Sequence, residues 1–130
     1  MKSPKTTLWI VGVLVSLALL SVAARVYTAP SRGRLSACFD VWRGHYIVLA
    51  YGLPSPWRPE SGHLLRERYG IEIHTVALCI VSETLRSYAD SYNAVSAPAA
   101  NRKFGHDVFK ECAEVASKNW ELQRARLAKE

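Results

Sequence analysis

Three cysteines (Cys38, Cys79, Cys112) and four histidines (His45, His63, His74, His106) carry the widest chemical reach in this chain of 130 residues. No two histidines stand four apart and no Cys-x-x-Cys occurs, so the ligand spacing of a structural zinc site is missing. A nucleophilic thiol needs a base beside it, and Cys79 with His74 or His45 supplies the residue types. Cys79 lacks the helix start or flanking cation that would activate it as a thiolate, so a packed core cysteine is expected. The acids nearest the strands are Asp40 and Glu72, and Glu72 is expected on a solvent face rather than paired in a cleft. Neither a glycine-rich phosphate loop nor a Gly-x-Ser-x-Gly elbow is present. No cofactor is expected, and no motif argues for a particular reaction.

Two other constellations stand out. Cys79 falls in an apolar strand and Cys112 on the buried stripe of the last helix, which predicts a Cys79–Cys112 disulfide or two buried thiols. Cys38 paired with Cys112 is the competing bridge, and a cytoplasmic domain would keep all three reduced. Tyr88 and Tyr92 share a helix face with Asn93 nearby; facing the strand that bears His74, they would line a small polar pocket. Trp-Arg occurs twice, as Trp42-Arg43 and Trp57-Arg58, each a candidate surface for stacking or for meeting lipid headgroups. The plainer reading packs each tryptophan on the core beside a solvated arginine.

The elements that would position these residues follow from periodicity and punctuation. His45 to Tyr51 is β-branched and aromatic and is closed by Gly52 to Pro56, which predicts a strand. Leu64, Leu65 and Tyr69 are helically spaced ahead of Gly70, which predicts a short helix over 60–69 with a left-handed cap. Ile71 to Val81 alternates and then turns continuously apolar, the pattern of a strand entering a covered core. Strand, helix, strand invites a right-handed βαβ unit, with antiparallel pairing as the alternative. Ser82 is a natural N-cap for a helix carrying Leu85, Tyr88, Ala89, Tyr92 and Val95 on one face. Pro98 is expected to interrupt that helix, with Ser96 capping a second piece that ends at Gly105. A last helix starts near Asp107 and buries Phe109, Cys112, Ala113, Ala116 and Trp120.

Ahead of this domain, a short basic start over Met1–Lys5 precedes the apolar run Leu8–Leu20 and the small residues Ser21 to Ala24. That is the layout of a secretory signal cut after Ala23 or Ala24. The charge-free run from Thr6 to Ala24 is also just long enough to stay as a membrane anchor. Residues 1–24 are therefore signal peptide or signal-anchor helix, 25–37 a linker rich in Pro, Gly and Ser, and 38–130 one domain. Leu35 to Cys38 spells the small-residue pattern of a lipoprotein cysteine, but Arg25, Pro30, Arg32 and Arg34 separate it from the apolar run, and coincidence explains it better.

The net charge of +6 sits in the first half, where Lys2, Lys5, Arg25, Arg32, Arg34, Arg43, Arg58, Arg66 and Arg68 face only Asp40, Glu60 and Glu67. Basic residues in and after an apolar segment point to anionic lipid. Arg25, Arg32 and Arg34 oppose export of the domain, whereas the layout of the start favours it. With 49% hydrophobic and 22% charged residues the remainder is an ordinary globular composition. The expectation is an α+β fold: an N-terminal hydrophobic helix, then two or three short strands packed by about three helices. The domain is expected to be membrane-anchored and exported, or released after cleavage, and to work through a protein partner in the envelope, with no nucleic-acid partner. The alternative is a small periplasmic enzyme or ligand binder using His45, His74 or Cys79.

Overall fold

A run of apolar residues with no acid or base from Leu8 to Ala24 satisfies its backbone most readily as a helix. The computed structural model, which describes residues 4–129 and side chains from Leu8, begins with that helix, α1 (Pro4–Tyr27). The Lys2 and Lys5 side chains of the basic start lie outside the described residues. Leu8–Tyr27 has a mean hydropathy of 2.2 and is long and apolar enough to cross a membrane, and none of it is buried against the rest of the protein.

The segment expected as a linker is helical. Helix α2 (Ala29–Trp42) follows α1 after the single residue Thr28, itself in the right-handed helical region. Backbone bonds from Thr28 N to Ala24 O and from Arg32 N to Thr28 O, 3.0 Å each, tie this one residue to both helices. Pro30 is accommodated because it falls in the first turn of α2, where its missing N–H costs nothing. Gly33 serves contact rather than flexibility. Ala29, Gly33 and Ala37 are buried at intervals of four along the face that meets a later helix, α4.

After α2 the chain forms β1 (Tyr46–Tyr51), α3 (Arg58–Tyr69), β2 (Ile71–Ala77), α4 (Glu83–Phe104) and α5 (Val108–Leu127). The fold is a helix-rich α+β arrangement around a two-stranded sheet. The strands are parallel, joined through α3, with Tyr46 beside Ile71, Val48 beside Ile73 and Leu49 beside His74. Strand alternation puts Tyr46, Ile71 and Ile73 on the covered face, where they pack with Leu65, Ala100, Val108 and Cys112. Gly70 closes α3 at φ 65°, as the sequence predicts. Ser82 Oγ accepts from Leu85 N at 3.2 Å and Asp107 Oδ1 from Lys110 N at 3.1 Å, so both expected N-caps form.

Helix α4 does not break at Pro98. One helix of 22 residues runs through it. Pro98 and Ala94, whose carbonyl loses its donor, both lie on the exposed side where water substitutes, while Ser96, Ala99 and Ala100 are buried on the other. That burial offsets the cost of an interior proline.

Helix α4 joins the layers. Its Asn93 side chain accepts from Leu49 N at 2.8 Å and donates to Leu49 O at 2.7 Å, while Ser96 Oγ donates to Ile47 O. The edge of β1 away from β2 is thus paired by side chains in place of a third strand. On its next face α4 lies along α2, close enough that a Cβ on Gly33 would stand 2.3 Å from Tyr88 O.

Gly33→Ala is expected to destabilise the fold by about 1–3 kcal/mol through overpacking, despite alanine's higher helix propensity. Gly12→Ala, with nothing near its Cβ, is the neutral control. Asn93→Ala, which leaves both Leu49 backbone groups unpaired, is expected to cost about 2 kcal/mol. Denaturant unfolding of the detergent-solubilised chain measures all three.

Candidate functional site

The chemically active residues are scattered rather than gathered. Cys112 is buried among the core residues, and burial, with the nearby Glu111 charge, pushes its thiol above the usual range and away from reactivity. Strand β2 ends at Ala77, so Cys79 sits beyond it in an exposed turn between exposed Leu78 and Ile80. The apolar run read as entering the core instead turns outward. Cys38 is exposed on α2, and all three cysteines are free thiols. The expected Cys79–Cys112 disulfide is therefore absent: one partner is in the core and the other on the surface.

The tyrosine pocket is also reorganised. Tyr92 is buried, but its hydroxyl donates to Asp40 of α2 rather than approaching His74. Burial, reinforced by that bond, holds the hydroxyl well above its usual range. Tyr88, stepped one turn back with ring centroids 6.4 Å apart, belongs to the same α2-facing side. The strand receives the next face of α4, occupied by Asn93 and Ser96. His74 turns to its strand neighbour, with Nε2 at 2.8 Å from Glu72 Oε2, and this contact holds the Glu72 carboxyl below its ordinary range. His45 lies in a shallow recess with Gly44, Ile47 and Glu72. Among the described residues no cleft collects histidine with cysteine, and no group of three His, Cys, Asp or Glu side chains could hold a metal ion.

Trp42 and Arg43 are exposed at the end of α2. The Arg43 guanidinium lies 4.5 Å from the Phe39 ring centroid, and the Phe39 and Trp42 rings stack at 6.0 Å. Trp57 is half-buried at the start of α3, and Arg58 beside it lines an open groove of about 520 Å³ between α3 and β2. Arg58, Gly62, His63 and Arg66 form the α3 wall. The other wall is four consecutive residues of β2, Glu72 to Thr75.

A second cluster joins three helices and was not legible beforehand. Tyr69 donates to Glu111 Oε2 at 3.0 Å, and His106 Nε2 stands 2.8 Å from the same oxygen. Arg68 Nη1 lies 3.2 Å from Glu111 Oε1, and His106 Nδ1 faces Phe104 O at 3.0 Å. The Tyr69 bond, then His106 and Arg68, lower the Glu111 carboxyl below its ordinary value of 4.5. Every member is satisfied within the fold, so the cluster clamps the end of α3 to the α4–α5 turn. The helix end at Gly105 and the helix-capping position of Asp107 marked this turn, but no pattern linked Tyr69 to Glu111.

No family model, curated protein or solved structure matches the chain.

Because the Glu111 carboxyl titrates lower in the folded chain than in the unfolded one, its stabilisation is complete above about pH 4.5 and is lost as pH falls through the depressed folded value. Denaturant midpoints measured from pH 6 to pH 3 are expected to fall on the acid side, and Glu111→Gln to flatten that fall.

Proposed function

We propose that the chain is a single-pass membrane-anchored protein whose exported domain holds a partner protein close to the bilayer. The carrying observation is the second face of α2. Leu35, Phe39 and Trp42, at spacings of four and three, are 70%, 52% and 80% exposed, while Ala29, Gly33 and Ala37 bury the other face against α4. Stacked aromatics with an overlying arginine are the residue types that dominate protein interfaces once water is excluded, and large apolar side chains in a contiguous stripe otherwise stay wet at a cost.

Anchoring draws support from the ends of α1. Trp9 and Tyr27 are both exposed and stand eighteen positions apart, about 27 Å along a helix, the separation of the two interfacial aromatic belts of a bilayer. The helical junction at Thr28 adds that Ala29, five residues beyond Ala24, is already locked into the domain. Export follows the sense of the short basic start ahead of the apolar run.

Intact mass from washed membranes is expected to be that of the full chain; a soluble form lacking residues 1–24 overturns anchoring. A membrane-impermeant maleimide is expected to label Cys38 and Cys79 in intact cells, and labelling only after lysis places the domain in the cytoplasm. A photoreactive side chain in place of Leu35 is expected to give one discrete heavier adduct that Phe39→Ala with Trp42→Ala abolishes. An adduct of two copies, or one indifferent to those substitutions, defeats the partner reading.

A further inference from the structure

The groove between α3 and β2 is built on a strand edge. Side chains on a strand alternate between faces, so four consecutive residues, Glu72, Ile73, His74 and Thr75, line one groove only if it opens on the backbone edge. Among the described residues the sheet has two strands, and β2 has β1 on one side and no strand on the other. An unpaired edge beside a helix offers main-chain donors and acceptors to any extended chain that lies in the groove.

Two features of the α3 wall point to what that chain carries. Arg58, which lines the groove, carries one guanidinium nitrogen, Nη1, that is buried with no hydrogen-bond partner among the described residues. Arg66 lines the same wall two turns away, and the one acid in the lining, Glu72, is paired with His74 and feels the Arg66 charge as well. The second feature is Gly62, in the interior of α3 between the two arginines. Glycine costs about 1 kcal/mol there relative to alanine, and packing does not demand it, since a Cβ would meet Ile73 Cδ1 at an ordinary 3.6 Å. A bare helix wall facing a strand edge leaves width for another backbone.

We propose that this groove binds an extended, acidic segment of a partner protein, which adds a strand to the open edge of β2 while its carboxylates pair with Arg58 and Arg66. Charge selects this occupant over a second copy of the chain, because edge-to-edge pairing of two β2 strands would crowd both pairs of arginines together. The site is separate from the α2 face and does not depend on it.

The test titrates isotopically labelled full-length chain, in detergent micelles, with a capped peptide of about eight alternating valines and glutamates. Main-chain pairing supplies much of the affinity in such grooves, so a generic peptide is a fair probe. Saturable shifts are expected at the amides of Glu72 to Thr75. Arg58→Gln with Arg66→Gln is expected to weaken binding about tenfold or more. Gly62→Leu, which keeps a good helix former while filling the groove, is expected to abolish binding with the thermal transition retained, and Trp42→Ala to leave it unchanged. A valine–lysine peptide that binds equally well, or the absence of shifts at β2, overturns the proposal. So does inorganic phosphate that reproduces the shifts and displaces the peptide, since the groove would then hold an anion and no strand.

Discussion

A parallel pair of strands has two open edges and little stability of its own, because its hydrogen bonds are few and its connection is long. In this chain the edge of β1 is closed by the Asn93 carboxamide, which accepts from and donates to the same residue, Leu49, as a neighbouring strand would. Ser96 extends the pairing to Ile47 one helical turn on. This short seam fixes the position of α4 against the sheet, and α4 in turn carries the contacts to α2 on one side and, through Ala100 and Phe104, to the core formed with α3 and α5 on the other. The seam thus joins two halves of the domain that otherwise meet through the packing of α4 on the core and of α2 on β1.

The halves differ in how they cohere. The α3, β2 and α5 half is a conventional core of Leu65, Ile71, Val108 and Cys112, with the Tyr69, His106 and Glu111 clamp closing one end. The α2 and α4 half buries almost nothing large. Ala29, Gly33 and Ala37 meet α4 there, so attraction comes from close backbone approach rather than from apolar bulk, with Tyr92 and Asp40 as its main polar tie. Helix pairs of this kind are common inside bilayers, where small residues let backbones touch. Here the pair stands directly beyond an apolar helix.

Features set by neighbouring residues were legible in the sequence. Both strands, the Gly70 cap and the Ser82 and Asp107 starts depend on a few adjacent side chains, and the parallel pairing follows once α3 lies between the strands. Readings failed where a residue's role depended on a distant partner. Pro30 and Gly33 read as linker because their local meaning is disruption, yet one falls in a first turn and the other faces Tyr88. Cys79 read as core because the apolar run continues past Ala77, although the strand stops and the run turns outward. Trp42 and Arg58 were visible as members of Trp-Arg pairs, but the groove beside Arg58 needed the sheet register, and the Glu111 cluster needed three elements brought together across more than forty residues.

The one-residue junction between α1 and α2 has a mechanical consequence. A flexible tether of thirteen residues would let a domain wander through a sphere of radius about 20 Å, sampling many orientations and engaging partners that approach from any side. Here one residue, Thr28, separates α1 from a helix that is itself packed into the domain, so the domain is held directly at the end of α1. In the anchored chain proposed above, the Phe39–Trp42 stripe and the β2 edge would be presented at set elevations above the headgroups. Selectivity would then arise partly from altitude: a target whose complementary surface sits nearer to the membrane or farther from it would be excluded by geometry before any side chain was read.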